Sequence, residues 1–262
     1  MPSPDGRWIA REIDGGGAQV EARDERSILD YRAVEIVDRN GQVVARPLAV
    51  WQYEDMGFAR PAAFAWRPGH DQVVLGWAGN GDGCDLHGGA RLFLCDAPSG
   101  ALTPLAVGGP QAKFDPSGRY LASVGIYRPG SVDAAGNIRS ERGMVAVLDV
   151  DADTTISATI AAEEIAEPVV WAPDGSALVV TVVDDYADCA QYNASHLIRF
   201  DLQAGQLTAT ALTTSAPGLR RATAWRDDGT LDVDVFDAGA AWDTKAARTE
   251  RRDAATGALV SP

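Results

Sequence analysis

Short apolar segments alternate with polar, glycine-containing turns along almost the whole chain. Continuous apolar runs of a few residues, bounded by turns, are typical of strands that are buried on both faces. The most apolar runs are Val73–Trp77, Tyr120–Ile126 and Ala177–Val183, and each is followed, after a polar stretch, by another apolar run at Ala90–Cys95, Met144–Leu148 and Leu197–Phe200. The pattern predicts an all-β protein.

One turn motif recurs after an aromatic residue and ends in glycine. Its full copies are Phe64–Gly69, Lys113–Gly118, Val170–Gly175 and Ala224–Gly229, and Ser3–Gly6 is a fifth turn without its preceding strand. Proline presets φ at the first turn position, Asp or Ser bonds to its own backbone, and Gly accepts a positive φ. The motif therefore predicts a tight hairpin turn in every repeat.

A second turn motif, a strand ending in Asp followed by a short polar link, interleaves with the first. Its copies begin at Asp38, Asp96, Asp149, Asp201 and Asp253. Two hairpins per repeat make four strands, called a to d, and such units need neighbours to bury their faces. We expect a single β-propeller domain of about five blades, approximately 1–60, 61–110, 111–167, 168–218 and 219–262. An open β-solenoid fits less well because its repeats are shorter.

The aromatic-x-Pro-Asp-Gly turn, best kept at Trp171–Gly175, resembles the repeat of TolB-like and WD-repeat-like propellers. The same repeat occurs in the propeller domains of prolyl-oligopeptidase-type enzymes. The resemblance covers nearly the whole chain, although Phe114 replaces the tryptophan in the middle repeat. It implies a fold and, for the TolB-like group, a place in the periplasm or cell envelope, whereas one fold hosts many functions.

The first repeat contains only strands b, c and d. We therefore expect a first blade of three strands, with the inner edge of Trp8–Ile13 unpaired or covered by a loop. The segment Pro47–Tyr53 belongs to no repeat element and is the expected cover, unless residues upstream of Met1 supply the missing strand. The last blade is expected to end with strand d at Ala258–Ser261.

The net charge of −14 favours solubility and argues against a nucleic-acid backbone as the main partner. The chain contains neither an apolar run long enough to span a membrane nor a recognisable secretory signal, and we expect a monomer. The three cysteines, Cys84, Cys95 and Cys189, are too few for a disulfide framework. Their pairing stays open.

The strand order places the a–b and c–d turns at one end of the sheets and the long b–c loops at the other, which we expect to be the binding face. The expected b–c loops are Asp14–Asp30, Ala78–Gly89, Tyr127–Arg142, Asp184–Ser195 and Asp237–Ala241. Basic side chains outnumber acidic ones where the inner strands begin at that face. The candidate ligand-binding residues are Arg60, Lys113, Arg220 and Arg221, which would attract an anion or a carboxylate-bearing chain end.

Enzyme and metal signatures are weak. Asp149-x-Asp151-x-Asp153 lacks the rest of a calcium loop, and Cys84, Asp85, His87, Cys189 and His196 lack the close spacing of a zinc site. We expect no cofactor, no metal and no catalysis. The sequence favours a non-catalytic binding module for a protein or peptide partner. The alternative is a hydrolase acting on glycans in the channel, which requires paired carboxylates.

Overall fold

A computed structural model describes residues 1–21, 26–53, 59–79, 91–108, 111–132, 138–160, 164–186, 191–241 and 245–260. The strands in these ranges form five antiparallel sheets that follow one another along the chain. Among the described residues, no helix has the length and apolar character needed to cross a bilayer.

The first two sheets are consecutive meanders. The first contains β1 (Trp8–Glu21), β2 (Arg26–Asp38) and β3 (Val43–Tyr53). The second contains β4 (Ala59–Trp66), β5 (Gln72–Gly79), β6 (Arg91–Asp96) and β7 (Leu102–Gly108).

The third and fourth sheets repeat this order. The third contains β8 (Gln111–Phe114), β9 (Tyr120–Val132), β10 (Ile138–Asp149) and β11 (Thr154–Thr159). The fourth contains β12 (Glu164–Trp171), β13 (Ala177–Tyr186), β14 (Gln191–Gln203) and β15 (Gln206–Ala211), with two short additions, β16 (Ala216–Pro217) and β19 (Ala240–Ala241).

The fifth sheet contains β17 (Arg220–Trp225), β18 (Thr230–Val235) and β20 (Arg248–Asp253). The fourth strand expected at Ala258–Ser261 is reduced to one isolated bridge, between Arg252 and Leu259. The innermost strands β4, β8, β12 and β17 contact one another in that order. The sheets are therefore arranged around a common axis, with the first strand of each repeat nearest to it.

The turns after the inner strands repeat one geometry. Their glycines have φ values of 69°, 71°, 77°, 72° and 79° at Gly6, Gly69, Gly118, Gly175 and Gly229. One backbone hydrogen bond of 2.8 Å closes each turn, from Ser3 N, Arg67 N, Asp115 N, Ala172 N and Arg226 N to a carbonyl four or five residues later. The first turn motif thus marks the same structural position in each of the five repeats.

Four clusters of buried apolar side chains lie between successive sheets. One aromatic residue of the repeat packs in each of them: Trp66, Phe114, Trp171 and Trp225. Each pairs with the first or second residue of the following strand: Trp66 with Val73, Phe114 with Leu121, Trp171 with Leu178 and Trp225 with Leu231. The four aromatic residues therefore occupy equivalent positions.

The first sheet has three strands, as expected, but its cover differs from the expectation. Pro47–Tyr53 lies in β3 and pairs with β2 at the far side of the sheet, so the prediction that it covers β1 is wrong. The first three residues instead pair with the inner edge of β1. Ser3 N donates to Trp8 O at 2.8 Å, and Ala10 N donates to Met1 O at 2.9 Å.

The indole of each buried tryptophan confirms that these first residues occupy the place of an inner strand. Trp171 Nε1 donates to the carbonyl of Lys113, on the inner strand of the preceding sheet, at 2.9 Å. Trp66 Nε1 donates to Met1 O at 3.1 Å. The carbonyl of Met1 thus accepts from the Trp66 indole in the way that the carbonyl of Lys113 accepts from the Trp171 indole.

Three segments that the sequence indicated as b–c loops are largely strands. Asp14–Asp30, Tyr127–Arg142 and Asp184–Ser195 contain the distal parts of the hairpins β1–β2, β9–β10 and β13–β14. Their glycine and polar content favours loops, but the ladder hydrogen bonds of a hairpin require only backbone groups. A bulge between Gly15 and Ala18 absorbs part of the irregularity.

Candidate functional site

The two ends of the sheets differ in what they can offer a ligand. We call the end with the a–b and c–d turns the turn end, and the end with the hairpins β1–β2, β9–β10 and β13–β14 the arm end. At the turn end, carboxylates accept bonds from their own turns: Asp174 from Ser176 N at 3.0 Å, Asp228 from Thr230 N at 3.0 Å and Asp253 from Thr256 N at 2.7 Å. These contacts lower the pKa of each carboxyl, the hydrogen bond from the Ser or Thr hydroxyl having the largest effect.

At the arm end, hairpin backbones extend past the strands that flank them. The partner β8 ends its pairing with β9 at Val124, and β11 ends its pairing with β10 at Met144. The hairpin nevertheless continues outward to the pair Val132 and Ile138. Within the described residues, no strand pairs with either edge of the distal part of this arm.

The arm of the fourth sheet shows what such an edge accepts. Only the proximal half of β14 pairs with β15, from Ile198 to Gln203. Its distal half pairs with two short extended segments, β16 at Ala194–Ser195 and β19 at Gln191–Tyr192. Both segments come from the connections of neighbouring repeats. The arm therefore binds extended chain by antiparallel strand addition within the molecule.

The four basic residues indicated by the sequence lie on inner strands but in three surroundings. Arg60 is exposed on β4, and Lys113 is exposed on the adjacent β8. Protein around the Lys113 side chain desolvates its ammonium group and lowers its pKa. The ammonium group of Lys113 is therefore partly shielded by protein, although the residue is exposed to water.

Arg220 and Arg221 point to opposite faces of the fifth sheet because successive strand residues alternate. The Arg221 guanidinium lies 4.8 Å above the Phe236 ring and 4.0 Å from Asp234. Arg220 lies towards the fourth sheet, where it donates to Ala216 O and Pro217 O at 3.2 Å and 3.3 Å. Neighbours in sequence thus serve different surfaces.

Sequence reasoning did not find a histidine–carboxylate pair at the base of the fourth arm. His196 Nδ1 lies 2.8 Å from Asp184 Oδ2, and both side chains are largely buried. The carboxylate orients the imidazole and leaves Nε2 for another group. Ser195 points to the other face, where its hydroxyl donates to Gly218 O at 2.9 Å, so these three residues form no triad.

Several residues weighed as metal ligands, among them Cys84, Asp85, His87 and Cys189, lie outside the described residues. The carboxylates Asp149, Asp151 and Asp153 form a turn in which Asp149 bonds to Arg119 Nε at 2.9 Å and to two backbone amides of the turn. Asp151 instead contacts Arg67 at 2.5 Å. Two of these three carboxylates are therefore held by arginines.

Solved structures share this architecture at low sequence identity. The crystal structure of puromycin hydrolase matches with a TM-score of 0.50 and 16% identity, over 95% of this chain and 39% of that one. The Dos1 propeller matches with a TM-score of 0.52 and 12% identity, over 99% of this chain and 69% of that one. The chain is a β-propeller.

The propeller also matches the putative TolB from Agrobacterium tumefaciens, with a TM-score of 0.40 and 15% identity, over 83% of this chain and 65% of that one. The propeller fold that the turn motifs indicated is thus confirmed. The chain spans less than two thirds of the first solved structures that it matches, 58%, 39% and 64% of their lengths. No family model matches the sequence, and a search of curated proteins finds no match.

Proposed function

We propose that this propeller is a non-catalytic binding module for a protein or peptide partner, which it engages at the arm end by strand addition. The observation that carries the proposal is the fourth arm, where β16 and β19 already pair with the distal half of β14. The β9–β10 arm presents the same kind of edge, with no strand on it in the described part of the chain. An extended peptide added there would gain backbone hydrogen bonds, with specificity coming from alternate side chains.

The turn end is a poorer candidate for binding than the arm end, which supports the proposal. Its amides and carboxylates bond to one another within and between the turns, for example Arg67 Nε to Gly118 O at 2.7 Å. Consecutive turns also approach closely: a Cβ on Gly175 would lie 2.8 Å from Asp115 Oδ2. Groups already bonded and packed in this way contribute little to a new partner, because binding would first have to break their contacts.

The glycan hydrolase is the second function that the sequence left open. It would need two carboxyl groups facing each other across about 5–10 Å. The acidic residues of the inner strands β4, β8, β12 and β17 are Glu164 and Glu167, both on β12. Two residues on one strand do not face each other across a channel, which supports the binding module. Glycan hydrolysis by the full chain that is abolished in Glu167→Gln would favour the hydrolase instead.

A peptide library displayed on phage tests strand addition directly. Peptides are selected on the full chain and then measured by calorimetry against a variant in which residues 127–140 are replaced by Asn-Gly. That turn joins Ile126 to Glu141, which pair in the native hairpin. We expect the selected peptides to lose at least about tenfold in affinity for the shortened variant. Circular dichroism and the urea midpoint of the variant verify that the sheets remain folded.

Backbone methylation of the peptides distinguishes strand addition from side-chain binding. N-methylation at alternate residues removes the amide donors that face the arm, and we expect about a tenfold loss of affinity per bonded amide at most. Methylation at the intervening residues serves as the matched control. Equal affinity of the selected peptides for the native and shortened proteins would overturn the proposal, as would insensitivity to methylation in both registers.

A further inference from the structure

A pocket of about 340 Å³ lies between the fourth and fifth sheets, and its lining includes Ala216 of β16, the short strand that pairs with the fourth arm. Its polar lining consists of two arginines and three threonines: Arg220, Arg252, Thr213, Thr214 and Thr256. The hydroxyl of Thr256 donates to Asp253 at 2.7 Å, which leaves that carboxylate engaged in its own turn. The remaining donors come from different repeats.

The charge around this pocket is strongly one-sided. On β20, the alternating residues Arg248, Glu250 and Arg252 share a face of the sheet. Glu250 accepts from Arg248 Nη2 at 2.7 Å and from Arg252 Nη2 at 2.6 Å, with a further bond from each Nε at 3.0 Å. Both carboxylate oxygens are therefore occupied. Arg220 lies within the field of all three groups, and the one carboxylate among them, Glu250, is already bonded to the other two arginines.

Arg220 is poorly satisfied for a half-buried cation. In the described part of the chain, its guanidinium donates two long hydrogen bonds, both from Nη1, to the carbonyls of Ala216 and Pro217. Desolvation lowers the pKa of this guanidinium, and the positive charges of Arg252 and Arg248 lower it further, against the opposing effect of Glu250. Burying a cation without a full set of partners is unfavourable, and an anion would relieve it.

The threonine hydroxyls are further hydrogen-bond donors in this pocket. Thr213 Oγ1 accepts from Leu197 N at 2.9 Å, which directs its hydroxyl proton away from that amide. Thr214 is exposed at the rim of the pocket. The pocket thus combines surplus hydrogen-bond donors with surplus positive charge, in a protein whose net charge is −14.

We propose that this pocket binds an oxyanion, a phosphate or carboxylate group of a small ligand, with Arg220 as its main contact. A planar guanidinium matches the paired oxygens of such a group. Arg252 supplies a second positive charge, and the Thr213 and Thr214 hydroxyls complete the donor set. Its donors are side chains and not strand edges, so this proposal does not depend on strand addition at the β9–β10 arm.

Calorimetry with inorganic phosphate and, separately, with acetate tests the site in the full chain at low ionic strength. We expect saturable binding of at least one anion, weakened by added salt because screening reduces the attraction. The stronger of the two anions identifies the preferred source, a phosphate ester or a carboxylate. Arg220→Gln is expected to lower the affinity by about tenfold to a hundredfold.

Two further variants separate binding from folding. Arg39→Gln removes the same charge from an exposed turn of the first sheet and is expected to leave the affinity unchanged. Thr214→Val alters only an exposed hydroxyl and is expected to weaken binding about threefold without changing the urea midpoint. Absence of binding to the native protein up to about 50 mM of either anion would overturn the proposal. Equal affinities in the native, Arg220→Gln and Thr214→Val proteins would do the same.

Discussion

At the turn end, each repeat closes its a–b turn with a backbone hydrogen bond of 2.8 Å, from the first sheet to the fifth. At the arm end, the hairpins differ from sheet to sheet, and one of them borrows two short strands from its neighbours. Both ends belong to the same strands, so strand pairing alone does not explain the contrast. The turn end uses its polar groups internally, whereas in the described part of the chain the distal β9–β10 arm has no strand paired with its edges. Stability is therefore expected to concentrate at one end and binding at the other.

The largest expected effect tests the packing between sheets. Trp171→Ala removes a buried indole, about 6% exposed, together with its hydrogen bond to Lys113 O. We expect the free energy of unfolding to fall by about 3–5 kcal/mol, measured by urea titration. At the arm end, Asn193→Ala loses one long bond of 3.4 Å to Asp185 and should change the same quantity by less than about 0.5 kcal/mol. Similar losses in the two variants would contradict the comparison.

The second effect concerns the turns themselves. Asp115 is buried, and its carboxylate accepts from Tyr120 N at 2.7 Å and Ser117 N at 3.1 Å. Asp115→Ala leaves those amides without their acceptor, and we expect a loss of about 1–3 kcal/mol in the free energy of unfolding. Asp115→Asn keeps one acceptor oxygen and should lose less. An Asn variant as unstable as the Ala variant would show that the turn bonds contribute little.

A third variant should improve the turn end. The c–d turn of the third sheet places Asp153 at φ 50°, where other repeats have glycine, such as Gly205 at φ 76°. A residue with a Cβ is strained in this region by about 1 kcal/mol or more. We expect Asp153→Gly to raise the free energy of unfolding by about 1 kcal/mol, against Ala152→Gly, an exposed position of the same turn whose φ is not positive, as the control. Destabilisation by Asp153→Gly would mean that its side chain makes a compensating contact.

The smallest expected effect appears only in acid. A hydrogen bond from Arg119 holds the pKa of Asp149 below its ordinary value, assisted by the amides of its own turn. Because the pKa is lower in the folded state, the contribution is complete above the unfolded pKa and disappears as the pH falls through the folded value. We expect it to stay below about 1 kcal/mol because Arg119 is exposed. Urea titrations between pH 7 and pH 2 should show a shallower decline for Asp149→Asn, and equal slopes would exclude the pair.

The repeat register could be predicted because its signals are local. Gly118 and Gly175 mark turns that need a positive φ, and the aromatic residue before each turn marks the core. The arms could not be predicted in the same way. Asp14–Asp30 contains three successive glycines, which favour a loop, whereas its pairing depends on backbone groups far apart in sequence.

For the candidate site, the sequence likewise indicated adjacent residues but not the residues that they meet in the folded chain. Arg220 and Arg221 are adjacent basic residues, and treating them as one patch overlooked the alternation that sends them to opposite faces. The partner of Arg220 in the pocket, Arg252, lies on a strand that begins 28 residues further along the chain. The alternation of Arg248, Glu250 and Arg252 was visible as a one-face pattern, but nothing in the sequence placed that face against Arg220.

The position of Phe114 has a consequence for the tryptophan fluorescence of this protein. Of the four contacts between successive sheets in the described part of the chain, three contain a repeat tryptophan, and the contact between the second and third sheets contains Phe114. The fluorescence emission of an indole shifts to longer wavelength when water reaches the ring. Because Phe114 stands in place of a repeat tryptophan, the contact between the second and third sheets has no such reporter at this position. Phe114→Trp would therefore place an indole at the position that tryptophan occupies in the other repeats. The difference between its emission spectrum and that of the native chain would follow the separation of one pair of blades during unfolding.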